Sequence, residues 1–202
     1  MNFEDNNLSK IFTEVFDTKR WKHKETHSGK GSTQNLRKQL PFLFNKFNIK
    51  SVLDAPCGDF NWLRSVVQHT EIHYTGGDIV SELVKINNEK YQSSNINFIV
   101  IDITKDTLPD ADLMICRDCL FHLSNNSIFD FFHNFIRSNI PYLLTTTHYN
   151  GDFKNLDISD GGFRKIDLFS SPYNLDKNAL YKIDDWIEPY PPRGMYCLVK
   201  HR

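Results

Sequence analysis

The chain has 202 residues, of which 40% are hydrophobic and 24% charged, with a formal net charge of −1. That length and balance fit one globular domain, and the near-zero charge argues against a general nucleic-acid binder, which would carry a basic excess. No run of about 18 apolar residues is present to span a membrane, and residues 1–10 are polar and acidic, unlike a secretory signal.

The four cysteines read as reduced thiols, so the expected location is the cytoplasm. One local basic stretch departs from the even charge, with five Lys or Arg within residues 19–30. In chain order, apolar residues at 8, 11, 12, 15 and 16 predict a first helix. Residues 25–32, Glu25-Thr26-His27-Ser28-Gly29-Lys30-Gly31-Ser32, cannot make core and read as a loop. Apolar residues at 36, 40, 43, 44 and 47 predict a second helix.

From there strands and helices alternate. A strand over 51–55 ends at Pro56-Cys57-Gly58 and leads to a helix over 62–67. A strand over 72–76 ends at Gly77-Asp78 and is followed by a helix over 81–91. Strands over 96–101 and 112–116 end at Asp102 and at Arg117-Asp118; a helix over 128–136 then leads to a strand over 142–147, before His148. This order predicts an α/β fold with a parallel sheet and helices on both faces. Residues 150–178 are rich in Asp, Gly, Ser and Pro, and 181–187 with 195–200 predict a closing pair of strands around Pro191-Pro192. A single domain over 1–202 follows. It divides into N-terminal helices and a loop (1–50), a sheet core (51–148) and a C-terminal part (149–202).

Open parallel sheets bind ligands beyond the carboxyl ends of their strands. One carboxylate after each of four successive strands (Asp54, Asp78, Asp102, Asp118) is more ordered than the capping use of Asp alone requires. Gly58, in the first strand-to-helix turn, lets backbone approach a ligand closely. Asp78 lies 24 residues beyond Asp54, where an acid accepts from both hydroxyls of a ribose diol. The Gly-x-Gly-x-x-Gly fingerprint of a nicotinamide oxidoreductase is absent from Asp54-Ala55-Pro56-Cys57-Gly58-Asp59-Phe60-Asn61.

Val52-Leu53-Asp54-Ala55-Pro56-Cys57-Gly58 resembles the first motif of the class I S-adenosylmethionine (SAM) dependent methyltransferases, with one of its usual glycines kept. A closer resemblance is to a subgroup of small bacterial and viral methyltransferase-like proteins. It rests on Ser28-Gly29-Lys30-Gly31-Ser32, Asp54-Ala55-Pro56-Cys57-Gly58-Asp59-Phe60-Asn61-Trp62, Gly76-Gly77-Asp78-Ile79, Cys116-Arg117-Asp118-Cys119-Leu120-Phe121-His122-Leu123 and Leu144-Thr145-Thr146-Thr147. The resemblance implies a Rossmann-like fold whose mostly parallel sheet closes with a C-terminal antiparallel strand. It implies SAM as cofactor and S-adenosylhomocysteine (SAH) as product. Asp54, Gly58 and Asp59 would surround the methionine part, with Pro56 and Trp62 in the same stretch. Asp78, with Ile79, would hold the ribose, and Asp102 and Ile103 would meet the adenine edge. Arg117 and Asp118 would line the pocket near the methyl group, and Ser28, Gly29 and Ser32 would fold over the cofactor carboxylate as a lid.

Methyl transfer then requires alignment of the acceptor and, for a hydroxyl acceptor, a base. Asp118 and His122 are candidates that would share a helix face if Asp118 begins a helix; His148 is a third. Arg164 and Arg193, in the irregular C-terminal part, would suit a phosphate or carboxylate on the acceptor. Cys116 and Cys119 have the spacing of half a zinc site with no second half, so no metal is expected. The expected reaction is O-methylation of a small polar acceptor, such as a sugar or a phosphorylated or nucleotide-linked glycan precursor, by a monomer or homodimer without a membrane or nucleic-acid partner. The alternatives are a nucleic-acid or protein methyltransferase, against which stands the missing Asn/Asp-Pro-Pro-Tyr motif, and a catalytically silent SAM-binding protein.

Overall fold

The computed structural model describes residues 7–20, 33–186 and 191–200. Its elements run α1 (Leu8–Asp17), α2 (Gln34–Lys46), β1 (Ser51–Asp54), α3 (Asn61–Val67), β2 (His73–Asp78), α4 (Ser81–Tyr91), β3 (Ile96–Val100) and β4 (Leu113–Cys116). They continue through α5 (Asn125–Arg137), β5 (Tyr142–His148), β6 (Tyr181–Asp184) and β7 (Arg193–Val199). One seven-stranded sheet has the order β3-β2-β1-β4-β5-β7-β6. Its first five strands pair in parallel, and β7 runs antiparallel to both β5 and β6.

The strands are short and apolar because both faces are covered. Val52 of β1 faces a core built with Leu36, Leu40 and Leu43 of α2, Leu63 of α3 and Val84 of α4. Leu53, its neighbour, faces the opposite core with Leu8 of α1, Phe131 and Phe135 of α5, and Ile166 and Leu168 of the long connection. The same alternation carries Leu113 and Ile115 to one side and Met114 and Cys116 to the other. In the connection between β5 and β6, Gly161 has φ +81°, and a Cβ there would come within 2.7 Å of Ile11 on α1. Glycine thus lets the N-terminal helix dock on the connection.

The chain order reverses between β1 and β4, which places Asp54 and Arg117 at the switch point where open α/β sheets bind ligands. Among the boundaries that differ from the sequence expectation, β2 extends through Gly77 to Asp78, and β7 begins at Arg193, opposite His148 in register. Among the described residues, no helix is long and apolar enough to cross a membrane.

Candidate active site

Asp54 ends β1 in full burial. One carboxylate oxygen, Oδ2, accepts from Tyr74 Oη at 2.8 Å, and the other, Oδ1, has no hydrogen-bond partner among the described residues. Burial raises its pKa from an ordinary 3.8 to about 7, against the pull of Tyr74 and Arg117. Past the turn, Gly58 adopts φ +55°, its N–H donates to Asp78 Oδ2 at 3.1 Å, and its carbonyl accepts from Asn87 Nδ2 at 2.8 Å. A Cβ added at Gly58 would meet nothing within 4 Å, so the turn borders open space. Pro56 is half-buried in this turn, and Trp62 is buried behind it. Exposed Asp59 accepts from the N–H of Asn61 at 3.1 Å and from its Nδ2 at 2.7 Å, which starts α3. Burial, then Asp78 and Asp54, push the Cys57 thiol well up, so it stays protonated and is no nucleophile.

Asp78 ends β2 with Oδ1 accepting from Val80 N at 3.0 Å and Oδ2 from Gly58 N. The N–H of half-buried Ile79 also meets this carboxylate, whose roughly four acceptor sites are not all used by these three donors. Asp102 is used differently. Its Oδ1 accepts from the Thr104 N–H and hydroxyl at 3.0 and 2.6 Å, and its Oδ2 pairs with Lys105 at 3.2 Å. It is a turn-forming residue, and Ile103 beside it is buried in the α5-side core. The lid residues Ser28, Gly29 and Ser32 lie outside the described residues.

Beyond β4 the expectation for Asp118 needs correction. Asp118 does not begin a helix: it has φ +51°, and the first helical turn is a 3-10 turn at Leu120–His122. Asp tolerates this conformation better than most residues. It is held there by its N–H, which donates to Thr146 Oγ1 at 3.0 Å. The turned carboxylate joins a closed ring of alternating charge. Arg117 grips Asp185 with Nε and Nη2 at 2.8 and 3.1 Å and pairs Asp118 through Nη1 at 3.3 Å. Arg193 pairs Asp118 Oδ1 at 3.2 Å and Asp185 Oδ2 at 3.7 Å, and its Nη2 donates to Asp118 Oδ2 at 3.3 Å. All four groups are largely buried, and the Arg117 guanidinium lies 5.1 Å from the Trp62 ring. With both oxygens engaged by guanidiniums, Asp118 is a poor general base.

The two histidines are fixed in opposite tautomers. His122 Nδ1 is 2.6 Å from the Gly162 carbonyl, which can only accept, so the proton sits on Nδ1 and Nε2 is the basic nitrogen. His148 Nδ1 accepts from Ile166 N at 3.2 Å, so its proton sits on Nε2 and its lone pair is already used. Burial lowers the pKa of both rings, and with nearby Arg193 it takes His148 to about 4. Of the three candidate bases, His122 is the one whose geometry suits proton acceptance. The His148 shift predicts acid sensitivity. The unfolded chain takes up this proton below pH 6.5 and the folded chain only near 4. The stability that His148 contributes should therefore fall as pH drops through that window, by about 3 kcal/mol at most. Urea titrations at pH 7 and 4.5 should show wild type losing stability relative to His148→Gln as the pH falls.

The two arginines expected to receive an anionic acceptor are both committed within the fold. Arg164 donates to the Leu156 and Leu123 carbonyls and to Tyr173 Oη, each at 2.8 Å, and so ties the long connection to the turn before α5. Arg193 belongs to the charge ring. Asp185 was not foreseen. Its signal was the alternation of exposed Lys182, buried Ile183, exposed Asp184 and buried Asp185, which turns the second acid inward. Two surface hollows, about 530 Å³ along α1 and about 260 Å³ between α2 and the starts of β1 and β2, are lined by none of these residues. Strand ends define the site, not cavity size. Among the described residues, no group of three His, Cys, Asp or Glu is placed to hold a metal.

Residues 52–141 match the model of a family described as a methyltransferase domain. Among solved structures, magnesium protoporphyrin IX methyltransferase (ChlM) from Synechocystis PCC 6803 with bound SAH is similar at TM-score 0.67 and 12% identity, over 95% of this chain and 99% of that one. Human N-acetylserotonin methyltransferase in complex with SAM is similar at TM-score 0.61 and 13% identity, over 82% of this chain and 52% of that one. The methyltransferase domain of bacterial CtHen1 gives TM-score 0.51 and 15% identity, over 58% and 66%. The chain thus spans less than two thirds of the length of these last two. At such identities the similarity is one of fold. No curated protein matches the sequence.

Proposed function

We propose that the chain, whose residues 52–141 match a methyltransferase domain and whose fold is similar to that of an SAH-bound methyltransferase, transfers a methyl group from SAM to a hydroxyl of a small acceptor, with His122 as the base. Two observations support the cofactor site above all others: a fully buried Asp54 carboxylate oxygen without a partner among the described residues, and, four residues on, a positive-φ glycine that faces open space, both at the switch point of the sheet. An orphaned buried acceptor is costly unless a ligand satisfies it. Asp54 suits the ammonium of the methionine part, the Gly58 turn permits its close approach, and Asp78 suits the ribose diol. The cofactor supplies an electrophilic methyl group; the protein aligns the acceptor and takes its proton.

Of the expected acceptors, those with a phosphate lose their support, because Arg164 and Arg193 are already paired within the protein. The hydroxyl assignment rests on the basic Nε2 of His122. Calorimetric titration with SAH tests the cofactor site. Saturable binding is expected in wild type, weaker by at least tenfold in Asp78→Ala, which loses a charged acceptor of two hydroxyls. Absence of binding by wild type, or equal binding by the variant, would remove the assignment.

A further inference from the structure

We infer that the acceptor is a ring carrying a phenolic hydroxyl, seated against an aromatic wall made by Phe163, Phe121 and Phe153. This rests on the methyl-transfer reading above and adds the chemical class of the acceptor. Phe163 is 61% exposed, yet it is anchored edge-on to buried Phe121 at 5.6 Å and tilted on His122 at 5.8 Å. Phe121 meets His148 edge-on at 5.4 Å, and half-buried Phe153 closes the line against His148 at 6.3 Å. The rings therefore run without a break from the carboxyl end of β5 to solvent, past the histidine whose Nε2 is basic. Phe153 and Phe163 belong to the connection between β5 and β6, which is otherwise rich in Asp, Gly and Ser. A large aromatic surface held half in water by fixed ring contacts is suited to stacking a flat ligand.

The guanidiniums of Arg164 and Arg193 are matched by carbonyls and carboxylates. Exposed Lys165 borders the wall, 5.9 Å over the outer Phe153 ring. Base strength selects the kind of hydroxyl. Burial keeps the His122 imidazole neutral and weakens it as a base. A phenol, which titrates at about 10, is within reach of such a base, whereas a sugar hydroxyl is far less acidic. In the step itself the phenol gives its proton to His122 Nε2. An oxygen lone pair forms the new O–CH3 bond, the methyl–sulfur bond breaks with its electron pair left on sulfur as SAH, and the histidine proton passes to water.

The test is calorimetric titration of the SAH-loaded protein with catechol and naphthol, and in parallel with methyl glucoside and glucose phosphate, together with detection of O-methylated product when SAM is supplied. The expected result is saturable binding and methylation of a phenol. Phe163→Ala should bind that phenol about tenfold more weakly, the value of a lost aromatic pair plus its burial, with SAH affinity unchanged. Because Phe163 is mostly exposed, the variant keeps the fold. Loss of SAH binding by wild type would end the methyl-transfer reading itself. Intact SAH binding with no saturable phenol binding, with methylation of a sugar instead, or with phenol affinity unmoved in Phe163→Ala would overturn the acceptor class alone.

Discussion

Asp185→Ala is expected to lower the free energy of unfolding by about 3–5 kcal/mol, the cost of removing one partner from a buried ion pair. The Asp185 side chain is fully buried and receives two hydrogen bonds from Arg117, whose side chain is 5% exposed. The ring holds two positive and two negative groups. Without Asp185 it holds two guanidiniums against the single carboxylate of Asp118, and the surplus charge has no water to solvate it. Urea denaturation at neutral pH measures the loss, and a change below about 1 kcal/mol would show that the ring is not held as described.

The same argument predicts a rescue. Arg117→Met with Asp185→Leu removes one charge of each sign and leaves Arg193 and Asp118 paired at 3.2 Å. Replacing a buried pair by apolar groups of similar volume is often nearly neutral, so the double variant should be more stable than Asp185→Ala. Its cost should appear in the site: Arg117 positions the Asp118 carboxylate and lies over Trp62. SAH binding in the double variant is therefore expected to weaken even where stability recovers. A double variant no more stable than the single one would mean that shape, not charge balance, sets the loss.

The sheet and the placement of carboxylates at its strand ends were legible in the sequence because they depend on local pattern. A short apolar run bounded by Pro, Gly or Asp marks a buried strand and its carboxyl end, so Asp54, Asp78 and Asp118 fall at the ends of β1, β2 and β4 from periodicity alone. What those carboxylates do there is a matter of distant partners. Asp185 reaches Arg117 across 68 positions, and nothing near either residue announces the pair. The tautomers of His122 and His148 are set by Gly162 and Ile166, in a connection with no periodicity to read. The positive φ of Asp118 goes with the tertiary hold of Thr146, whereas the sequence reading paired Asp118 with His122 only on the condition that Asp118 begins a helix. Arg164 reads as an anion receptor from sequence because it lies in the irregular C-terminal part, where an arginine would suit a phosphate or carboxylate. Only the fold shows three protein acceptors around its guanidinium.

Asp54→Asn should separate what this acid costs the fold from what it gives the cofactor. Burial raises the folded pKa from 3.8 to about 7, so the folded protein holds a proton on Asp54 that the unfolded chain has already released. A raised carboxylate pKa stabilises the protein at low pH, and that contribution is lost as pH rises from 3.8 through 7. The full span corresponds to about 4 kcal/mol. Wild type should therefore lose stability relative to Asp54→Asn between pH 4 and pH 8. His148 acts with the opposite sign over 6.5 to about 4, so the wild-type curve by itself would look flat. The difference between wild type and variant isolates Asp54, and a difference that does not change with pH would refute the assignment.

Cofactor binding should show the mirror image. The cationic ammonium of SAH favours the ionised carboxylate, so below pH 7 each binding event must first displace a proton. Affinity should fall roughly tenfold for each pH unit below that point and level off above it. Asp54→Asn, which keeps an oxygen for Tyr74 but cannot ionise, should bind SAH weakly and with no such slope. A variant whose affinity follows wild type through this range would place the ammonium elsewhere. Parallel loss of both slopes, in stability and in affinity, would show that a buried acid held ready for a cation is less stable for being ready.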